Sequence, residues 1–266
     1  MAGMGITVCL AGEARGRLAE AIGEAMAPFE CDYRRGEELD VWDHWAISGG
    51  GSGFQPLRGR EGDPRLVPDG PAPSGRCAGG PRELLAFAEI RAEAVEVAGA
   101  AWDLWRELAR LHPPAEPLAP VVPWSNPAEA EASWQARIAA RQAYEAQPLV
   151  IAYEERRAAL LAGHRGYRLG DSLGHAWPVE DVGGVGREEF VRLHAESAVP
   201  GGSVLTLDGW WCEPGDQPLH GACEGPAVCP HTPPFEWTDA PWYHGSGRYL
   251  EELPGDTVLV RVRCHV

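Results

Sequence analysis

The apolar positions of this chain keep two periods. Ile6 to Leu10 (ITVCL) is a short β-branched run that predicts a buried strand. From Glu13 to Pro28 the apolar residues Leu18, Ala21, Ile22, Ala25 and Met26 recur at helical spacing with acids and arginines between them. Val41 to Ile47 returns to strand character, so the chain opens β-α-β. At the other end, Thr257 to Val266 (TVLVRVRCHV) alternates apolar and polar residues and predicts a closing strand. The first and last strands are expected to pair in one sheet.

Between these ends the helical period dominates. Leu84, Leu85, Ala88, Ala92, Val95, Ala98, Trp102, Trp105 and Leu108 form a stripe that predicts one long helix from Pro81 to Leu111, stopped by Pro113 and Pro114. A second helix is expected to start at Asn126-Pro127, with Asn as cap and Pro in the first turn, and to carry Trp134, Ile138 and Tyr144. Pro148 kinks or restarts it, with a continuation to about residue 162. Arg187 to Ser197 reads as a short helix, and so does Gly247 to Leu253. VLTLDGWW (204–211) reads as a strand, an Asp-Gly turn and a second strand. Residues 49–80 and 212–242, rich in Gly and Pro, are expected as long loops.

These elements predict a single α+β domain over 1–266. Its sheet is central, mixed or antiparallel, in a distorted ferredoxin-like arrangement: β-α-β, then a hairpin, then a closing strand. A helical hairpin at 81–163 is inserted into it.

Composition removes several function classes. All 23 basic residues are arginine, since the chain contains no lysine. Pyridoxal-type Schiff-base chemistry, a lysine-dependent phosphate loop and a Ser-Lys nucleophile are therefore excluded, and neither PLP nor a P-loop nucleotide is expected. The formal charge of -16 disfavours broad nucleic-acid or membrane-surface binding. Seven scattered cysteines, with no basic region before the first apolar run and no stretch of membrane-spanning length, predict reduced thiols in a cytoplasmic protein. Nothing fixes the oligomeric state.

Candidate chemistry falls in three places. WDHWAISGGGSGF (42–54) sets Trp42, Asp43, His44 and Trp45 before Gly49, Gly50, Gly51 and Gly53. It is no dinucleotide fingerprint, because the glycines lead into a loop and not a helix. It reads as a flexible turn or as a ligand cradle walled by tryptophan. Strand alternation sends Asp43 and His44 to opposite faces, which disfavours them as an acid/base pair. Cys264 and His265 are split in the same way on the last strand, so a nucleophilic Cys264 needs another base: His44, His220 or His244. The third place is C-x10-C-x5-C-x-H, made by Cys212, Cys223, Cys229 and His231. These residue types suit structural zinc, with His220 or His244 as substitute ligands, and free thiols packed on tryptophan are the alternative.

Five short motifs in order carry a resemblance: APFE (27–30), WDHWAISGGGSGF, AYEAQPLVIA (143–152), REEFVRLHAESAVPGGSVLTLDGWWCEPG (187–215) and YLEELPGDTVLVRVRCHV (249–266). Together they resemble an uncharacterised family of phage and bacterial proteins with LAPYDEN, WDWYxIGGRW, YxAQP, TPDGxWHE and PDDTxxTVVDCHI segments. The resemblance spans nearly the whole chain and implies a fold and a phage-linked ancestry, with no assigned reaction. Here Gly51 and Ser52 stand in place of that pattern's Arg-Trp, Cys212 in place of its His, and Arg263 in place of its Asp.

The leading expectation is a protein that binds a small molecule or a peptide in a Trp-lined cleft. The cleft would involve Trp42, Trp45, Trp211, Trp242 and His244 between the 48–54 and 209–244 loops and the last strand. The alternatives are a Cys/His or zinc-assisted enzyme and a protein-interaction module that docks through the helical hairpin.

Overall fold

The computed structural model describes residues 3–31, 41–47, 53–69, 75–117, 127–162, 164, 185–199, 202–213, 216–234 and 244–265. They fall into two compact units, one of residues 1–91 and 196–266 and one of 92–195.

The first unit is built on a mixed sheet of eight strands. They are β1 (Gly3–Leu10), β2 (His44–Ile47), β3 (Val67–Pro68), β4 (Cys77–Pro81), β5 (Ser203–Leu205), β6 (Trp210–Cys212), β7 (Leu219–His220) and β8 (Val258–His265). The order is β3-β4-β8-β1-β5-β6-β7, and β2 also pairs with β8. Only β1 with β5 is parallel. The first and last strands pair antiparallel over their whole length, from Gly3 opposite His265 to Leu10 opposite Val258. β2 and β4 both pair with β8, meeting its second half and its first three residues respectively. The opening β-α-β therefore does not close on itself, since β1 and β2 are both neighbours of β8. With eight strands in this order, the α+β class carries over from the sequence reading and the ferredoxin-like detail does not.

Alternation along β1 and β8 sorts their side chains into two cores. Ile6, Val8, Leu10, Val258, Val260, Val262 and Cys264 pack with Leu205, Trp211 and Phe29 against Ala21, Ile22 and Met26 of helix α1 (Leu18–Met26). The intervening Cys9 and Leu259 join Val204, Phe54, Cys77, Leu85, Phe87 and Val199 against Leu250 of α6 (His244–Glu252). The predicted hairpin is present as β5 and β6, closed by Thr206 accepting from Gly209 N–H, with Gly209 at φ +80° where an L side chain is strained.

β4 lies inside the stretch read as a loop. Its sequence, CAGGP, has no β-branched residue to announce a strand, yet it is buried throughout. The glycines are what allow it to form. A Cβ on Gly79 would lie 1.9 Å from the Leu259 carbonyl oxygen, so only glycine lets β4 approach β8.

The long helix starts later than predicted. A 3-10 turn at Arg82–Leu84 and extended Leu85 precede α2 (Phe87–Leu108), and this break resets the phase. Ile90, Ala94, Val97, Ala98, Ala101, Trp105 and Leu108 are the buried stripe, whereas Ala88, Ala92 and Val95 are exposed. Residues up to 91 belong to the first compact unit and the second runs over 92–195, where the predicted insertion spanned 81–163. Within it, α3 (Pro127–Glu145) ends before Pro148, which forces Gln147 into an extended conformation and starts α4 (Pro148–Leu161). Trp105 meets Tyr153 edge-on at 5.2 Å. Arg187, at the start of α5 (Arg187–Ser197), makes a bidentate pair with Asp103 at 3.0 and 3.1 Å and lies over Gly99. Among the described residues no helix is long and apolar enough to cross a membrane.

Candidate functional site

Where β7 leaves the sheet, four side chains of types that could ligate a metal converge. β6 and β7 pair so that His220 stands opposite Trp210, and the indole meets the imidazole nearly edge-on at 4.8 Å. His220 is thereby buried and fixed on the sheet. The chain then turns tightly: Cys223 N–H donates to the His220 carbonyl at 2.9 Å, and Ala222 N–H donates to His220 Nδ1 at 3.3 Å. A 3-10 turn at Pro226–Val228, closed by Cys229 N–H on the Pro226 carbonyl, carries the chain back so that Cys229 and His231 face Cys223.

One donor atom from each of His220, Cys223, Cys229 and His231 lies within 4.8 Å of all the others. Cys223 Sγ is 3.2 Å from Cys229 Sγ, 3.3 Å from His231 Nδ1 and 3.7 Å from His220 Nδ1, and Cys229 Sγ is 3.7 Å from His231 Nδ1. The two imidazoles stack at 3.9 Å and 14°. Tetrahedral zinc with bonds of about 2.3 Å to sulfur and about 2.0 Å to nitrogen has edges of about 3.8 Å between sulfurs and about 3.5 Å between sulfur and nitrogen. The three sulfur–nitrogen separations are within a few tenths of an ångström of these edges, the two sulfurs are about 0.6 Å closer than a zinc edge, and the remaining pairs lie within 4.8 Å. The group could hold a metal ion.

The Cys223 S–H donates to Cys229 Sγ, and this contact, with burial second, raises the Cys223 thiol above its ordinary value. A divalent cation placed between these sulfurs would displace that proton and remove the cost of bringing two thiolates together.

The fourth member of the cluster is His220, and Cys212 is not part of it. Cys212 is fully buried in β6 opposite Val204, where burial pushes its thiol up to about 12. Cys212 is held in β6 between β5 and β7, so the first cysteine of the predicted quartet stays in the sheet. The spacing H-x2-C in LHGAC (219–223), set beside C-x-H at 229–231, was the signal in the sequence that marked His220. His244 starts α6, and its side chain lies outside the described residues.

A second polar contact joins two candidates from opposite ends of the chain. His265 Nδ1 lies 2.7 Å from Asp43 Oδ1, with both side chains about one-third exposed. Antiparallel pairing of β2 with β8 sets His44 opposite His265 and Trp45 opposite Cys264. Asp43 thus has a histidine partner, but it is His265 across the sheet and not its neighbour His44, which is exposed. Cys264 is 1 % exposed in the core on the α1 side of the sheet, and burial pushes its thiol up to about 12, the opposite of nucleophile activation. Reading WDHWAI antiparallel against VRVRCH would have exposed the His44/His265 register.

Of the tryptophans expected to wall a cleft, Trp42 and Trp211 lie in the core and Trp45 packs against it. Trp42 is 6 % exposed and its indole N–H donates to the Met26 carbonyl at 3.1 Å. Trp211 is 2 % exposed, lies 5.2 Å from the Phe29 ring, and hydrogen-bonds Glu213. Trp45 is half-buried against the same core. Gly53 is a packing glycine, since a Cβ there would stand 2.2 Å from the Cys77 carbonyl oxygen. Gly49, Gly50, Gly51 and Trp242 lie outside the described residues. Compared with known protein families, curated proteins and solved structures, the chain has no significant match.

Proposed function

We propose that the protein is a zinc-binding α+β domain in which His220, Cys223, Cys229 and His231 form a structural Cys2His2 site. The convergence of four donors of the right kinds within 4.8 Å carries this reading. With four protein ligands the coordination sphere is closed, so the metal would hold the fold and not activate a water. The segment from Cys223 to His231 brings little core of its own, and Val228 is 69 % exposed. Zinc would tie it to His220 and through His220 to the sheet. Metal analysis of protein purified from zinc-supplemented cells should find close to one zinc per chain, and Cys229→Ser or His231→Ala should remove most of it. Less than about 0.2 zinc per chain in the wild type overturns the reading, because a structural site is nearly saturated.

The second reading is the small-molecule or peptide site expected from the sequence. With Trp42 and Trp211 assigned to the core, it narrows to the end of β2, and the 2.7 Å contact between Asp43 and His265 supports it. A carboxylate that orients an imidazole leaves the other ring nitrogen for a ligand or a proton, as in metal and acid–base sites. A compound that raises the melting temperature of the wild type and not of Asp43→Asn or His265→Ala supports this site. A shift that persists in both variants removes it.

A further inference from the structure

We propose that Cys223 and Cys229 are an oxidative modification site, at which a hydroperoxide converts the metal-binding thiols into a disulfide. The inference deepens the zinc reading by naming what regulates that site. Its chemistry needs only the two sulfurs, while its consequence, metal release, rests on that reading.

The geometry selects this pair. Cys223 Sγ and Cys229 Sγ are 3.2 Å apart, already in contact, and a bond of about 2.05 Å requires only a small rotation of either side chain. The turn at Pro226–Val228 holds the two ends of the loop together, so no backbone search precedes bond formation. Both cysteines are partly exposed and so within reach of a small polar oxidant, as is Cys31. Cys9, Cys77, Cys212 and Cys264 are buried. Thiol oxidation requires access to the oxidant, and a nearby second thiol diverts it to a disulfide before further oxygen is added.

The step balances in two parts. One thiolate attacks the peroxide oxygen; the O–O bond breaks, an S–O bond forms, and hydroxide or an alkoxide leaves. The second sulfur then attacks the sulfenic sulfur; the S–S bond forms, the S–O bond breaks, and the oxygen departs as water with the proton of the second thiol. Overall two thiols lose two electrons and two protons, and the peroxide is reduced to two waters, or to water and an alcohol. From the metal-bound state the two protons come from solvent and the zinc ion is released. Two of the four donors are consumed, and the remaining pair of imidazoles holds zinc far more weakly.

The test treats zinc-loaded full-length protein with hydrogen peroxide and follows two quantities: zinc release by a chromogenic chelator, and cross-linked peptides by mass spectrometry after alkylation. One zinc per chain should leave in step with a single intramolecular Cys223–Cys229 cross-link, and dithiothreitol with added zinc should reverse both. Cys223→Ser and Cys229→Ser should form no such link, and the remaining thiol should proceed to sulfinic acid. Retention of zinc under excess peroxide, oxidation of the two sulfurs to sulfinic acids without a link, or a dominant link through another cysteine would each overturn the proposal. If the protein never carries zinc yet forms the link, the zinc reading fails and the modification site stands. If it carries zinc and forms no link, the reverse holds.

Discussion

The 220–231 cluster and the Asp43–His265 pair are both polar constellations attached to the sheet, but they are assembled in opposite ways. In the cluster, Cys223 and His231 are eight residues apart, and a tight turn gathers the donors. Asp43 and His265 are 222 residues apart, and only the register of β2 on β8 brings them within 2.7 Å. The cluster can therefore retain its geometry while strands elsewhere are disturbed, whereas the pair is only as secure as the pairing of β2 with the last four residues of β8. The difference also concerns what each group contributes. Four soft and borderline donors would gain a large binding free energy from one ion, and a partly exposed carboxylate–imidazole contact gains little from itself.

The largest expected effect separates them by removing the metal. A ligand present at a hundredfold over its dissociation constant stabilises by about 2.7 kcal/mol, and a structural zinc site binds well beyond that ratio. Stripping zinc with a chelator should therefore lower the melting temperature by at least roughly 5–11 °C, at about 2–4 °C per kcal/mol for a chain of this size. The His265 and His44 imidazole resonances should stay where they were. A melting curve that does not move on chelation breaks the comparison, because the cluster would then contribute no more than an ordinary surface pair.

How much of this was legible in the sequence depended on the same distinction. Local signals read well. ITVCL, the Asp-Gly turn at 208–209 and the alternating VLVRVRCH are strands or turns in the structure, and Pro148 separates two helices. Cys223, Cys229 and His231 were readable as ligands because their spacing is short. Non-local facts did not show. β4 is a strand because Leu259 stands so close that only Gly79 fits, and nothing in CAGGP says so alone. The predicted stripe holds at Ala98, Trp105 and Leu108 and fails at Ala88, Ala92 and Val95, because Leu84 and Leu85 precede the helix and do not set its phase. Trp42 and Trp211 looked like cleft walls because burial of an aromatic against Phe29 and Met26 is a property of the assembled core.

Gly79→Ala tests the non-local half directly. The added methyl would meet the Leu259 carbonyl oxygen, a backbone atom that cannot swing away, so β4 and β8 must separate. A cost of about 2–3 kcal/mol is expected in urea unfolding, against less than about 0.5 kcal/mol for Gly16→Ala, where nothing lies within 4 Å. Zinc content should be unchanged in both. Loss of zinc in Gly79→Ala would mean that the cluster depends on sheet register after all, and the contrast between the two constellations would be lost.

The smallest effect belongs to the pair itself. Asp43→Asn keeps the shape of the side chain and its capacity to accept from His265 Nδ1–H, and removes only the charge. With both side chains about one-third exposed, solvent screens most of the Coulomb attraction, so the expected cost is about 0.5–1 kcal/mol. His44→Ala, at the exposed register partner of His265, should cost less than about 0.5 kcal/mol. Equilibrium unfolding of the two variants and the wild type at neutral pH decides it. A cost of 2 kcal/mol or more for Asp43→Asn would show that the carboxylate is far less screened than its exposure implies, and that the charge holds β2 on β8. A cost near zero would leave the 2.7 Å contact without a stability role, and orientation of the His265 ring would then be its only remaining consequence.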